Sequence, residues 1–410
     1  MVSTGLLDAL ATGLVTGSII AAGALGLSLI YSIAEVPNFA HGDMITIGAY
    51  LALVFNKPAA IPFLPDSVPV VGTTSLAVAG VLAIGLGATF SAGYELTVFR
   101  RFRRKDADLI TMVIVSLGLA LILRNAVLFL AGSKNISYAT EPVRDVFWDA
   151  YLSGFGLTIQ LTQRRAGEIV TLAQWGYAWW LTAAILAVAI AVGYAVYRER
   201  SAGEGFDVVH LVDPRVLGVG AGLATVLVLG YLLRFQTGVV ADPLASTRVG
   251  TSWKDGTVVI VTGLAMLALN ILLKTTKLGK AMRATADNLD LAEVRGVNVD
   301  RVQLVVWVVA GLLAAIAGVL AGWSASNINP NMGFSLLLPV FAAVIMGGIR
   351  SPYGSALAGL VIGLSMDLGV YFLPPGLAVY REAIAFVIFI AVLLVRPEGI
   401  WGDVSWHLLT

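Results

Sequence analysis

Long apolar stretches recur along the whole 410-residue chain, and they constrain its fold more than any other feature. A helix rises about 1.5 Å per residue, and no backbone group can stay unbonded in lipid, so crossing a bilayer takes about 20 apolar residues. Apolar runs, two of them short, lie at 6–33, 43–56, 70–98, 108–131, 173–197, 215–234, 257–274, 302–325, 335–349, 353–373 and 380–396. The sequence therefore predicts an all-α, polytopic transmembrane helical bundle of about 9–11 hydrophobic segments.

The amino-acid composition fits a membrane environment and argues against several other classes of protein. The mean hydropathy is +0.88 and only 12% of the residues are charged, whereas about a quarter are charged in an ordinary soluble domain. A net charge of +1 provides no basic surface, so we expect no nucleic-acid partner. The absence of cysteine excludes disulfides and a cysteine nucleophile, and with only three histidines we expect no metal site.

Clusters of basic residues between the apolar runs predict on which side of the membrane each loop lies. Arginine and lysine concentrate in cytoplasmic loops, and the two strongest clusters lie at 100–105 and 274–301. Four apolar runs separate them, so both can be cytoplasmic. The same rule places the loop at 197–200 and the C-terminus inside, and the N-terminus and residues 132–172 outside. The first run lacks a basic leader and is too long for a signal peptide, so we expect a retained helix.

Small residues spaced four apart predict close contacts between helices, since helix association in lipid depends on close packing. These ridges occur at Gly13/Gly17, Ser18/Ala22/Gly26, Ala314/Gly318/Gly322 and Ser355/Gly359/Gly363. They indicate a tightly packed bundle and carry no information about a ligand.

The second basic cluster contains a stretch that is too polar to span the membrane and that carries helix boundary signals. Asp287 is a suitable N-cap, and Gly296 stands where a helix often ends in a left-handed residue. Together they predict a short helix at Asn288–Arg295. Asp300 followed by Gln303 provides a capping signal for the next membrane helix. We therefore predict a short cytoplasmic coupling helix along the inner face of the membrane.

Two interpretations of this loop, residues 275–301, are open. One is an ordinary connection whose basic residues satisfy the positive-inside rule. The other, which we favour, is a docking element, because small residues there leave room for the close approach of a partner surface. The candidate docking residues are Gly279, Ala284, Ala286, Asp287, Ala292 and Gly296.

Ionisable residues at the break between the first two apolar runs form another candidate site. His41 and Asp43 lie where the second run begins, and charged groups at membrane depth are costly and usually face a cavity or a partner. One interpretation is an interfacial turn, in which Asp43 caps the second helix and His41 meets headgroup water. The other is a role in a pathway or a gate. With the neighbouring Asn38, these residues are pathway candidates.

Two further places in the sequence are candidates for the same pathway. Asp367 lies deep in an apolar run, so we expect it to face the bundle interior. Arg124, which is also embedded in an apolar run, is a candidate for an ion pair with it. Asn329 and Gly333 precede the short run at 335–349, where the N-terminus of a half-helix could receive a carboxylate. A plain external turn is the alternative, since Asn and Pro are ordinary turn residues.

Four stretches of the sequence resemble the branched-chain amino acid permeases of ATP-driven importers. They are GSIIAAGALGLSLIYSIAEVPNFAHGDMITIGAY at 17–50, LGKAMRATADN with the later GVNVDRV in 278–302, NPNMGFSLLLPVFAAVIMGGIRSPYGSALAGLVIG at 329–363, and LLVRPEGIWG near the end. In that family, the loop that resembles 275–301 docks onto an ATP-binding subunit. The resemblance covers most of the chain outside its middle.

The middle of the chain departs from this family. Residues 140–255 look long relative to its members and hold two apolar runs that typical members lack. An insertion of two spans keeps both flanking basic loops on the same side of the membrane. We predict an N-terminal transmembrane half at 1–139, an atypical insertion with two extra transmembrane segments at 140–255, and a C-terminal half at 256–410.

The resemblance implies a permease subunit in the plasma membrane that translocates hydrophobic branched-chain amino acids. Its implied partners are a second permease subunit, which is a paralogue or a second copy, two ATP-binding subunits and an extracytoplasmic solute-binding protein. The phosphate-binding motif of ATPases is absent, the nearest string being Leu278-Gly279-Lys280-Ala281. We therefore expect a chain that is no enzyme and binds no cofactor, with ATP and Mg²⁺ on the partner subunits.

Other functions are alternatives to this one. Related importers of urea, short amides or other amino acids look alike in the quoted motifs. A secondary transporter driven by an ion gradient would need acidic residues near the membrane midplane, for which Asp367 is the obvious candidate. An intramembrane enzyme would need several polar groups converging at one depth, which the sequence does not show.

Overall fold

The computed structural model describes residues 2–62, 74–139, 146–153, 156–165, 168–201, 214–232, 245–249, 252–374, 377–395 and 399. The helices are α1 (Val2–Ala34), α2 (His41–Asn56), α3 (Leu76–Tyr94), α4 (Arg100–Arg103), α5 (Leu109–Ala131), α6 (Trp179–Ser201), α7 (Pro214–Leu232), α8 (Trp253–Thr275), α9 (Lys277–Asp287), α10 (Leu289–Val294), α11 (Val299–Ser324), α12 (Met332–Gly347), α13 (Pro352–Phe372) and α14 (Arg381–Val395). The strands are β1 (Val146–Ser153), β2 (Gly156–Arg165), β3 (Glu168–Ala178) and β4 (Ala245–Val249). A π-helical turn, Glu95–Phe99, joins α3 to α4.

The chain is an all-α polytopic bundle, and each of the eleven predicted apolar runs overlaps one of these helices. Within the described ranges, seven helical segments are long and apolar enough to cross a bilayer: Asp8–Ala34, Leu76–Arg103, Leu109–Ala131, Trp179–Glu199, Trp253–Thr275, Val299–Ser324 and Pro352–Phe372. Three others are short, since α2 and α12 have 16 residues each and α14 has 15. The basic residues after α14, for which we predict the cytoplasmic side, lie outside the described residues.

The chain divides into two compact units, of which the first comprises Met1–Asp8 and Arg144–Trp253. Its described part contains a four-stranded antiparallel sheet in the order β3-β2-β1-β4 and the helices α6 and α7. The two helices pack through glycines, because a Cβ on Gly193 would lie 2.7 Å from the carbonyl oxygen of Gly218. The assignment of 140–255 as a separate insertion stays a prediction.

The sheet corrects the sequence interpretation of one segment. The apolar run at 173–197 was expected to be helical throughout, but α6 begins only at Trp179, because the residues up to Ala178 pair with β2. The aromatic residues Trp175 and Tyr177 favour a strand. Apolarity alone does not separate a strand from the first turns of an apolar helix.

The second unit, Ala9–Val143 and Lys254–Thr410, holds the remaining helices. The small residues of α1 and α13 contact each other, since a Cβ on Gly17 would lie 2.8 Å from the Leu360 Cα and one on Gly359 would lie 2.8 Å from the Ala21 Cα. Gly318 of α11 likewise packs against the backbone of α2 at Ile45. The predicted ridges are therefore sites of close helix packing, and α11 lies in the core against both α2 and α3.

The polar loop after α8 folds into two helices, of which α10 corresponds to the predicted helix. Its N-cap is Asn288, whose Oδ1 accepts a hydrogen bond from the Leu291 N–H at 2.8 Å. Asp287 is therefore not the cap and instead ends α9, a helix that the sequence analysis did not include. Gly296 has a φ of +84°, as predicted for the residue that ends α10.

The predicted cap of α11 is also wrong. Asn298 caps this helix, because its Oδ1 accepts a hydrogen bond from the Arg301 N–H at 3.0 Å. Asp300 lies within the first turn and binds two arginines instead, Arg100 at 2.6 Å and Arg104 at 2.9 Å. These ion pairs connect the first basic cluster to the start of α11.

Candidate functional site at the start of α2

The chain between α1 and α2, residues 35–40, is not helical although it is largely buried. Glu35 leaves α1 with a φ of +55°. In a helix, backbone N–H groups donate to backbone carbonyls, but here two of them donate to side chains. The Phe39 N–H donates to Ser116 Oγ at 3.2 Å, and the Ala40 N–H donates to Asn38 Oδ1 at 3.0 Å. Irregular backbone in the membrane needs such partners, because buried peptide groups must be hydrogen-bonded. Asn38 and Ser116 therefore hold the break in place.

The second helix begins beside the middle of α1 and not beside its end. The ring Nε2 of His41 is 2.9 Å from the carbonyl oxygen of Gly23. Gly23 precedes the end of α1 at Ala34 by about three turns, or roughly 16 Å. Because a carbonyl only accepts, Nε2 of His41 donates in this bond, and the buried Nδ1 makes no hydrogen bond within the described part of the chain.

Burial excludes the interpretation of this region as an interfacial turn. His41 is 0% exposed and Asp43 is 1% exposed, so neither residue meets headgroup water. Asp43 is not a cap either, since the N-cap of α2 is Ala40, which makes no side-chain cap bond.

The carboxylate of Asp43 is paired with Arg124 of α5. The Nε of Arg124 donates to Oδ1 at 3.1 Å and its Nη2 donates to Oδ2 at 3.3 Å. The guanidinium carbon also lies 4.1 Å from the ring centre of Phe334, the third residue of α12. The guessed pairing of Arg124 with Asp367 is therefore wrong. The sequence shows that an embedded charge needs a partner, but it does not show which helix supplies that partner.

The start of α12 lies against the start of α2. The Gly333 N–H donates to Thr46 Oγ1 at 3.0 Å, and a Cβ on Gly42 would lie only 2.5 Å from the Gly333 carbonyl oxygen. Asn329 belongs to the turn before α12, where its Oδ1 accepts from the Asn331 N–H at 3.0 Å. Asn329 therefore lies in a turn, as one interpretation predicted. A carboxylate site at the start of α12 stays a prediction, and the Gly333 N–H there is already bound to Thr46.

Asp367 belongs to a different cluster. Its Oδ1 lies 2.5 Å from Arg381 of α14, and its Oδ2 accepts a hydrogen bond from the Thr16 hydroxyl of α1 at 2.8 Å. Arg381 also donates to the Thr16 Oγ1 at 2.6 Å. Asp367 faces the bundle interior, as expected, but it is separate from the start of α2.

The candidate docking residues of the loop at 275–301 differ in burial. Gly279, Ala286 and Ala292 are buried, whereas Ala284, Asp287 and Gly296 are exposed. The two most exposed apolar side chains of α10 are Leu291 at 55% and Val294 at 84%, and neither is among the predicted docking residues.

Sequence reasoning also missed several residues at the start of α2. Arg124 could be recognised from the sequence, because an arginine within an apolar run is unusual. The hydroxyls of Ser116 and Thr46 give no such signal, because serine and threonine in membrane helices commonly hydrogen-bond to the backbone of their own helix. Phe334 carries no signal either, since aromatic residues are ordinary in apolar runs. Their roles depend on which helices are neighbours in space.

The fold and this site define a class of protein. Interrupted membrane helices that begin side by side within a bundle, with buried charges at that point, are typical of membrane transporters. The chain belongs to the family described as the branched-chain amino acid transport system permease component, whose model matches residues 9–393. It is a multi-pass protein of the inner membrane.

Known relatives support this membership over most of the chain. LivH of Escherichia coli K12, a high-affinity branched-chain amino acid transport system permease protein, is 26% identical over 390 residues, or 95% of this chain and 93% of LivH. BraD of Pseudomonas aeruginosa, of the same description, is 25% identical over 396 residues, or 97% and 95%. LivH of Salmonella typhimurium is 41% identical over 143 residues, which are 35% of this chain and 46% of that relative. That relative is thus a shorter chain, and no solved structure matches this one.

Proposed function

We propose that this chain is the membrane-spanning permease subunit of an ATP-driven importer of branched-chain amino acids. The observation that carries the proposal is the helix α10, which exposes Leu291 and Val294 in the polar loop for which we predict the cytoplasmic side. Exposed apolar side chains on a cytoplasmic helix are suited to a protein partner. Since the chain has no phosphate-binding loop, the energy would come from ATP and Mg²⁺ on such a partner.

The complete importer would contain further subunits. We expect a second permease subunit, two ATP-binding subunits and an extracytoplasmic solute-binding protein that delivers the substrate. The names of LivH and BraD support a branched-chain amino acid as this substrate. Urea, short amides and other amino acids are the alternatives, because the quoted motifs do not distinguish them.

The contacts of α10 refine the docking residues that the sequence suggested. Ala286 and Ala292 are buried within the loop's own fold, so a bulky residue there would first disturb this chain. Leu291 and Val294 are three residues apart and therefore lie on one face of α10. We expect this face to enter a groove of the ATP-binding subunit, with Ala284 and Gly296 contributing exposed small residues nearby.

Co-purification tests the docking face. The change Val294→Asp should reduce recovery of the ATP-binding subunit with the permease by about tenfold or more, because it places a charge in an apolar contact. The matched control Val294→Leu keeps the apolar surface and should recover the partner normally. Undiminished recovery with Val294→Asp, in protein that inserts normally, would show that α10 is not the docking element.

Reconstitution separates the importer from a secondary transporter. Asp367 is bound to Arg381 and Thr16, so this carboxylate is already neutralised and is poorly suited to bind a driving ion. We expect leucine uptake into proteoliposomes only with the ATP-binding subunits, ATP and the solute-binding protein. Uptake by this chain alone, driven by a proton or sodium gradient, would overturn the proposed function.

A further inference from the structure

The helix α5 exposes polar groups where a lipid-facing helix should be apolar. Arg124 lies about two turns before the end of α5 at Ala131, and it is 18% exposed on its side chain. The next residue, Asn125, is exposed. Its Nδ2 donates to the Leu121 carbonyl at 2.8 Å, and its Oδ1 accepts no hydrogen bond within the described residues. Polar groups at this depth are costly against lipid, so this side of α5 should border water or a polar ligand.

The geometry of the Asp43 pair leaves one edge of Arg124 free. A guanidinium presents donors along more than one edge, and each edge can hold a carboxylate through two parallel hydrogen bonds. Asp43 binds the edge formed by Nε and Nη2. The remaining donor, Nη1, makes no hydrogen bond to the described part of the chain, although the side chain is ordered by Asp43 and by the ring of Phe334. Arg124 is therefore a pre-oriented cation with an open edge.

Apolar side chains lie next to this open edge. Phe334 lies against the guanidinium and is itself exposed, and Leu338 is exposed one turn further along α12. The charges of Arg124 and Asp43 cancel each other, so a bound ligand is held by directional hydrogen bonds and apolar contact. A single carboxylate attached to an aliphatic group matches this combination.

We infer that Arg124 binds the α-carboxylate of the transported amino acid, on a path that α5 and α12 border, with Phe334 and Leu338 contacting its aliphatic side chain. Asp43 is the positioning residue, because it is fully buried and holds the opposite edge of the guanidinium. This inference rests on the proposed function and adds to it a residue and a chemical basis for recognising the substrate.

Cysteine labelling tests whether this side of α5 borders an aqueous path. The chain has no cysteine of its own, so each introduced thiol reports on one position. In the complete importer, Asn125→Cys should react with a membrane-impermeant methanethiosulfonate, and leucine-loaded binding protein with ATP should slow the reaction. The matched control Ala126→Cys lies at nearly the same depth on α5 but about 200° around the helix from Arg124, is also exposed, and should not react. Equal reaction at both positions, or no protection by the loaded binding protein, would overturn the inference.

Transport by Arg124 and Asp43 variants separates substrate binding from a merely structural ion pair. The change Arg124→Gln should raise the KM for leucine-loaded binding protein by about tenfold to a hundredfold, as expected for a lost charge-assisted hydrogen bond, while Asp43→Asn should have a smaller effect. Because Arg124→Gln leaves a buried unpaired carboxylate, the double variant Asp43→Asn/Arg124→Gln is decisive. It should fold normally and still transport poorly, whereas recovery of leucine transport would show that Arg124 only pairs with Asp43.

Two uptake measurements distinguish failure of this inference from failure of the proposed function. ATP-driven leucine uptake with a KM that Arg124→Gln leaves unchanged would overturn the carboxylate assignment and leave the importer intact. Absence of any ATP-driven uptake by the wild-type complex would overturn the proposed function itself.

Discussion

At the residue scale, glycines decide where the two short helices can meet. Gly42 and Gly333 face each other at the starts of α2 and α12, and a Cβ on Gly333 would lie 2.5 Å from Thr46 Oγ1 and even closer to the Gly42 carbonyl. The hydrogen bond from the Gly333 N–H to Thr46 depends on this contact. The absence of a side chain at Gly333 thus allows two broken helices to share one point in the bundle.

The change Gly333→Ala should therefore destabilise the protein. Overpacking at a rigid backbone contact costs about 1–3 kcal/mol, and thermal unfolding in detergent should show a corresponding fall in Tm. Gly85→Ala is the matched control, because this helical glycine has open space where a Cβ would be, and it should leave the Tm unchanged or slightly raised. A Gly333→Ala protein as stable as the control would contradict the close approach of α2 and α12.

Buried and exposed carboxylates should also differ in their contribution to stability. Glu95 is fully buried against Arg103, whereas Asp300 and its partner arginines are all about one-third exposed or more. Removing the charge of a buried partner leaves an unpaired ion and costs about 3 kcal/mol or more, while exposed pairs contribute below about 1 kcal/mol. Glu95→Gln should lower the unfolding free energy in an SDS titration far more than Asp300→Asn does. Equal losses would contradict this ranking.

At the scale of elements, the local sequence predicts helix boundaries, because these depend on residues that are close together in the chain. The helix after Asn288 and the left-handed Gly296 follow from local backbone preferences, and both are present. The helix α9 was missed because its polar and basic residues suggested a loop, although its apolar residues recur with a helical spacing. The Asp43–Arg124 pair could not be predicted, because the cost of burial shows only that an embedded charge needs a partner, and packing selects which residue that partner is.

The cap of α10 provides a test at this scale. Asn288→Ala removes the hydrogen bond to the Leu291 N–H and should destabilise α10 by about 1 kcal/mol. Hydrogen exchange of the amides in α10 should then be about fivefold faster, since local opening becomes that much more frequent. Asp287→Ala, one residue earlier, should leave the exchange rates unchanged, and the opposite pattern would show that Asp287 is the cap.

At the scale of the whole molecule, hydropathy predicted every apolar helix, because the requirement for satisfied backbone bonds in lipid leaves few alternatives. It did not predict the sheet of the first unit, where alternating aromatic and polar residues adjoin an apolar helix. The two short runs, broken by proline or glycine, suit helices shielded inside the bundle, as α2 and α12 are, but they did not show that these helices begin side by side.

The predicted orientation can be checked with the same cysteine-free background. A thiol at Lys134, in the segment after α5, should react with an impermeant reagent from outside intact cells. A thiol at Lys280 in α9 should react only after the cells are made permeable, because the positive-inside rule places its loop in the cytoplasm. Reaction of Lys280→Cys from outside would reverse the assigned topology.

The triad of Thr16, Asp367 and Arg381 joins the first helix of the chain to the last described one. Asp367 of α13 obtains its cation from the next helix, because Arg381 is the first residue of α14. The acid can be neutralised by this partner only in a chain that extends into α14. A chain that stops early therefore keeps an unpaired carboxylate among its membrane helices, a feature by which cellular quality control can distinguish an unfinished protein from a complete one.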